Sequence, residues 1–256
     1  MLNEIVSIGD KIQLKRMKTT AAQGNRENVY TSQLLDITGE SKALIAMPIE
    51  QGRVTPLTVG EKYQLWFYTS KGLYQCNAVI ENRFKSNNIY VLAIEFTSEL
   101  EKIQRRQFYR LDCLVEVTYR IISDEEYYAR EELRKKDIAD QVRLKHLQRI
   151  EAIEEESSYL EGIIVDLSGG GARMTSTNSH EKGETILIKA NLAAQNTIKK
   201  LEIVGKLVQV SKMENRTGIF DNRIFFRNIS NDQREMIIRY IFEEERKQRK
   251  REKGLN

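Results

Sequence analysis

The sequence predicts a mainly β protein of two units, with a helical insertion in the second unit and a helix at the end. Three observations predict it. Short runs alternate apolar and polar residues with a period of two and are separated by turn residues. A charge-dense stretch without Pro or Gly interrupts the second set of runs. A capping box opens an amphipathic segment near the C-terminus. The chain has 256 residues, room for one large domain or two small ones, and 40% of them are hydrophobic. That is enough apolar material for one or two ordinary cores.

Residues 1–98 read as the first β domain. Lys11-Ile12-Gln13-Leu14-Lys15, Tyr63-Gln64-Leu65-Trp66-Phe67, the run from Tyr74 to Ile80 and the run from Tyr90 to Phe96 all fit a strand period. Gly9-Asp10, Thr38-Gly39, Gln51-Gly52, Lys71-Gly72 and Ser86-Asn87-Asn88 supply the turns between them. Short strands at this spacing argue a small barrel or a sandwich. Trp66, Phe67 and Tyr68 cluster within one such strand, which favours core over an exposed stacking platform. Residues 99–112 are charged, break the pattern and carry Arg105, Arg106 and Arg110. They read as a linker.

The second domain spans 113–256. It opens on Leu114 to Tyr119 and is interrupted at about 123–158. Ser123 and Glu126 have capping-box spacing there, and Ile138, Val142, Ile150 and Ile153 leave a thin apolar stripe. One long helix, a helical hairpin or a solvated spacer all fit this stretch. Strands resume at Gly162 to Val165, Ala172 to Met174, Thr185 to Lys189, Leu201 to Val210 and Arg223 to Phe226. A helix is expected at about 231–250. Ser230 and Gln233 cap it, Ile237, Ile238, Ile241 and Phe242 give it an apolar face, and Glu243 with Lys247 and Glu245 with Arg249 brace it. The basic tail from Arg246 to Lys253 is expected to fray.

Composition removes several functions. Forty-one Lys and Arg against 37 Asp and Glu leave a net charge of +4, so one extended basic face for DNA is not expected. Two cysteines, Cys76 and Cys113, fit a reducing compartment, and two distant histidines give no zinc spacing. Charges interrupt every apolar run before a membrane-spanning length, and Glu4 spoils a signal peptide. A cytoplasmic protein is expected. The glycines after Ser168 are not followed by Gly-Lys-Ser/Thr, and Gly-x-Ser-x-Gly is absent because Asp166 holds the first Gly position. Neither a P-loop nor a hydrolase elbow is present, and no enzyme is expected.

Two segments carry chemistry. Arg105-Arg106-Gln107-Phe108-Tyr109-Arg110 sets three guanidiniums within six residues. Arginine forks pair with phosphate or with the Hoogsteen edge of guanine, and their flat faces stack on bases. Asp166-Leu167-Ser168-Gly169-Gly170-Gly171 offers a carboxylate for guanine N–H groups, a hydroxyl, and glycines that let backbone amides approach a ligand. Taken singly, a triple glycine is a turn or bulge and an arginine pair a solvated surface.

Arg106-x-x-x-Arg110 followed by Asp166-x-Ser168-x-x-Gly171 resembles the two-part signature of PilZ domains, and the whole arrangement resembles the flagellar-brake family. The resemblance implies two small β-barrels and a non-enzymatic receptor for cyclic di-GMP that needs no cofactor. It implies a ligand site of Arg105, Arg106, Arg110, Asp166, Ser168, Gly169, Gly170 and Gly171, with Arg105 favouring a stacked ligand dimer. It also implies domain reorientation on binding and a protein partner in the flagellar motor or switch. Polysaccharide synthesis is the alternative output. A ligand-independent scaffold and an RNA-binding barrel are the alternative functions. The pattern departs from the family at the 123–158 insertion and at Arg223, where a glycine often opens the last strand. An extra turn at Asn215 to Asn222 leads to an expectation of an irregular barrel edge.

Overall fold

The period-two runs of the first unit become strands, nine among the described residues, after a one-turn helix, α1 (Leu2–Ile5). The computed structural model describes residues 2–17, 28–135, 137–194, 197–252 and 254. Contacts divide the chain into two units, Met1–Arg105 and Arg106–Asn256.

In the first unit the strands are β1 (Lys11–Arg16), β2 (Val29–Ile37), β3 (Lys42–Ala46), β4 (Ile49–Glu50), β5 (Arg53–Val54), β6 (Lys62–Thr69), β7 (Gly72–Ser86), β8 (Ile89–Phe96) and β9 (Glu101–Ile103). Six of them close a ring in the order β6-β1-β2-β3-β8-β7, with β7 pairing back to β6. Closure removes the exposed edges that an open sheet would offer to other chains. β9, within the stretch read as linker, pairs with β7 outside the ring. Alternation explains the interior. Ile12, Leu14, Leu34, Ile45, Leu65, Phe67 and Leu92 are fully buried. Asn87 and Asn88 both take positive φ, 46° and 65°, the geometry that matches a two-residue hairpin to the strand twist. Trp66 and Phe67 are buried, whereas Tyr68 is 39% exposed and donates its hydroxyl to Gln13.

The second unit contains β10 (Arg110–Ile122), α2 (Asp124–Leu133), α3 (Asp140–Glu156), β11 (Leu160–Ser168), β12 (Gly171–Ser176), β13 (Thr185–Ala194), β14 (Thr197–Lys212), β15 (Phe220–Phe226) and α4 (Asn231–Glu252). Its six strands form a closed barrel in the order β10-β11-β12-β15-β14-β13. Tyr119, Leu167, Met174, Ile186 and Leu207 fill it, and Ile237, Tyr240 and Ile241 of α4 join the same core. The last strand opens at Phe220, so Phe220 to Asn222 are strand, not turn. The irregularity lies opposite, in a β14 bulge between Leu207 and Gln209.

The insertion is two helices. Ser123 caps α2 by accepting from the Glu126 amide at 3.1 Å, but the Glu126 carboxylate does not return to the cap. It is nearly fully buried and forms an ion pair with Arg120, itself buried, and with Arg130. Arg130 reaches Glu154 of α3 and Glu202 of β14, each at 2.6 Å. Burial pushes the Glu126 carboxyl up, yet hydrogen bonds from Arg120 and Arg130 outweigh it and hold the group below its ordinary range. Charged residues therefore tie the insertion to the barrel. The expected apolar stripe does little of this: α3 buries no residue fully, and Val142 is exposed.

At the C-terminus the capping box is reciprocal. The Gln233 amide donates to Ser230 Oγ at 3.1 Å, and the Ser230 amide donates to Gln233 Oε1 at 2.9 Å. Arg249 pairs with Glu245 at 2.7 Å, and Lys247 pairs with Glu244. The tail expected to fray from Arg246 stays helical to Glu252. These pairs, and the cations Arg249, Lys250 and Arg251 in the last turn, favour that end of the helix. Lys253 lies outside the described residues. Among the described residues no helix is long and apolar enough to cross a membrane.

Candidate functional site

Strand register assembles the two motifs on the second unit. β10 starts at Arg110, which pairs opposite Ser168, while Asp112 pairs opposite Asp166. Side chains alternate along a strand, so Leu111 and Leu167 point into the core while Arg110, Asp112 and Asp166 share the outer face. Arg110 Nη1 stands 3.9 Å from Asp166 Oδ2, and its side chain is half exposed. A guanidinium and a carboxylate thus meet at one exposed spot.

The β11–β12 hairpin is tight, with Ser168 paired directly to Gly171. Ser168 Oγ donates to the Gly171 carbonyl at 3.0 Å and accepts from the Gly170 amide at 3.4 Å. The hydroxyl braces the turn. The glycines have separate physical reasons. A Cβ on Gly171 would lie 2.3 Å from the Ile224 carbonyl oxygen, so β12 can pass β15 only without a side chain. Cβ atoms on Gly169 and Gly170 would meet the Phe108 ring at 2.8 and 3.0 Å.

The row continues across the barrel wall. Asp166 pairs opposite Arg173, and Arg173 pairs opposite Arg223 of β15. From β10 to β15 the outer face therefore reads Asp112, Asp166, Arg173, Arg223: two acceptors, then two donors. Arg173 Nε is also held by Asp221 at 2.7 Å. Sequence reading passed over Arg173 and Arg223 as site candidates, because antiparallel register, not spacing along the chain, sets them beside Asp166.

The remaining arginines differ in their surroundings. Arg106 opens the second unit and is exposed. Arg105 ends the first unit, and its guanidinium lies over Trp66, 4.5 Å from the ring centroid. Trp66 in turn donates its indole N–H to Gln75 at 2.8 Å. Arg110, Asp166, Ser168 and the three glycines come together within the second unit.

Catalytic geometry does not form around Ser168, whose hydroxyl is spent on its own turn. His180, the nearest histidine in sequence, pairs with the Tyr119 hydroxyl at 2.9 Å. Burial pushes the Cys113 thiol up to about 12, with Asp166 and Asp112 adding to the shift, so it stays protonated. Among the described residues no cluster of three or more His, Cys, Asp or Glu could hold a metal ion.

Comparison with known proteins assigns both units. Residues 7–96 match the family profile of the flagellar protein YcgR N-terminal domain, and residues 130–243 match the PilZ domain. The chain belongs to the two-domain, YcgR-type PilZ family. That family comprises receptors, not enzymes. Segment 105–110 falls between the two matched ranges. Among solved structures, the chain is similar to the Bacillus subtilis inhibitor of motility MotI/DgrA, with 15% identity, TM-score 0.68, and coverage of 95% of this chain and 100% of that one. It is also similar to Escherichia coli YcgR, solved in complex with c-di-GMP, with 14% identity, TM-score 0.51, and coverage of 97% and 89%. At these identities the likeness is one of fold. By sequence, no curated protein matches the chain.

Proposed function

We propose that this PilZ protein is a cytoplasmic receptor for cyclic di-GMP and an effector that acts on a protein partner. The observation that carries this reading is the meeting of Arg110 with Asp166 beside the Ser168–Gly171 turn. A guanine presents two acceptors on its Hoogsteen edge and N–H donors on its Watson–Crick side, and the ligand adds two phosphates. Arg106 and Arg110 fit the phosphates and the Hoogsteen edge as fork donors. Asp166 fits the guanine N–H donors, with Ser168 and the three glycines holding the turn that presents it. Arg105 would leave Trp66 to join the site, where it would support a second, stacked ligand.

Binding then acts as a switch. A ligand held by Arg105, Arg106 and Arg110 and by the PilZ turn favours one relative arrangement of the domains. It shifts the population by its differential affinity for that arrangement. A surface of the closed form engages a partner in the flagellar motor or switch and reduces motility. The YcgR-type N-terminal domain and the likeness to a motility inhibitor support this output over polysaccharide synthesis. The test is calorimetric titration with cyclic di-GMP beside cyclic di-AMP and GMP. Selective binding is the expected result, at two ligands per chain if Arg105 joins the site. A folded protein that ignores all three contradicts the receptor reading.

A further inference from the structure

Residues 104–109 belong to no helix or strand. The site nevertheless needs the arginines of this segment held in a defined place, since side chains ordered only on binding subtract from affinity. Phe108, midway between Arg106 and Arg110, has the contacts to do this. Its ring lies on the Gly169–Gly170 turn so closely that a Cβ at either glycine would stand at 2.8 and 3.0 Å from it, inside the ordinary contact range of 3.4–4 Å. Neither glycine takes a positive φ, so the turn conformation does not itself demand glycine. The ring does. The guanidinium of Arg234, in the first turn of α4, lies 4.8 Å from the ring centroid. The next residue adds a second tie to α4: the Tyr109 hydroxyl donates to Glu245 at 3.1 Å.

We propose that Phe108 is a positioning residue for the ligand site. Its ring, seated on Gly169–Gly170 and packed by Arg234, fixes the segment so that Arg106 and Arg110 are presented beside Asp166 before ligand arrives. This inference rests on the receptor reading above and assigns the two middle glycines a different role. They seat the ring instead of approaching the ligand.

Two measurements test it, one of which uses no ligand. Trypsin should cleave after Arg106 in the ligand-free Phe108→Ala variant several-fold faster than in the wild type, because the segment loses its seat. Cyclic di-GMP titration should show binding about tenfold weaker for Phe108→Ala at unchanged stoichiometry, as expected when two long side chains must be ordered on binding. Phe108→Tyr, which keeps the flat ring, should restore both readouts. Gly169→Val, which displaces the ring without removing it, should reproduce the alanine loss. Should that variant fail to fold, the alanine and tyrosine pair decides. Wild-type cleavage rates in Phe108→Ala overturn the proposal, as does affinity equal to or tighter than wild type. Tighter binding would mean that the ring occupies a surface the ligand needs. A wild-type protein that does not bind overturns the receptor reading, and this inference with it, whereas the cleavage result separates a failed anchor from a failed ligand assignment.

Discussion

The two barrels of this chain use six strands each and close them in the same way, yet their polar residues are spent differently. In the N-terminal barrel the buried side chains are almost all apolar, and Ser32 is the one buried polar residue among those described there. In the PilZ barrel, Arg120, Glu126, Ser168, Ser176, Thr185 and Asn222 are all buried. Charge there does two jobs that apolar packing does not. It fastens a helical insertion to the wall through Glu126, and it arrays Asp112, Asp166, Arg173 and Arg223 across four strands of the outer face. The first barrel is built for stability, and the second carries chemistry on a frame that must tolerate it. Breaking a buried ion pair by removing one partner is costly because the other charge is left stranded.

The largest effect expected from this contrast is therefore on stability. Glu126→Ala should cost about 3–5 kcal/mol in the second unit, because Arg120 stays buried without its carboxylate. Two resolved unfolding transitions, with only the PilZ transition moving, would sharpen the comparison. Equal movement of both would break it. The same carboxylate sets an acid limit. Its folded-state pKa is depressed, so its contribution is complete above the unfolded carboxyl value, about 4.3. That contribution is lost as pH falls through the lower folded value. Glu126→Gln should flatten the acid limb of PilZ stability below about pH 4, the range set by that unfolded carboxyl value. A limb as steep as wild type would point to other carboxylates.

Next in size is Gly171→Ala. A methyl group 2.3 Å from the Ile224 carbonyl must push β12 from β15, an overpacking cost of about 1–3 kcal/mol. A thermal scan showing no loss would mean that the barrel wall gives way more easily than its register implies. The smallest effect is expected at Arg105, whose stack on Trp66 in the first unit contributes on the order of 1 kcal/mol. Arg105→Ala should lower first-unit stability by no more than that amount and leave first-ligand affinity nearly unchanged while lowering the stoichiometry from two ligands to one. Wild-type stoichiometry of two in that variant would remove Arg105 from the site.

Much of this architecture was legible in the sequence because strands and caps are local. Ile12 and Leu14 alternate with polar neighbours and point inward. Ser230 and Gln233 form the reciprocal cap that their spacing implies. The arginine and Asp-x-Ser-x-x-Gly motifs could be paired before any strand was placed. Three things were not legible, and each depends on tertiary pairing. Arg173 and Arg223 join Asp166 only through strand register. The binding of the insertion by Glu126 depends on Arg120, a strand residue on the outer face of the barrel that is buried only because the insertion covers it, and in sequence it looks like any surface arginine. Gly169 and Gly170 looked like ligand-approach glycines, but the Phe108 ring that requires them sits some sixty residues earlier in the chain.

The central claim is that the exposed pairing of Arg110 and Asp166 marks a cyclic di-GMP site. Its most direct test is titration of cyclic di-GMP into the wild type and into Arg110→Ala, with thermal unfolding confirming that both are folded. The account predicts selective binding by the wild type and at least tenfold loss in the variant, the size expected for a charge-assisted hydrogen bond to a ligand. Equal affinity in the two proteins would contradict it, and so would a folded wild type that does not bind.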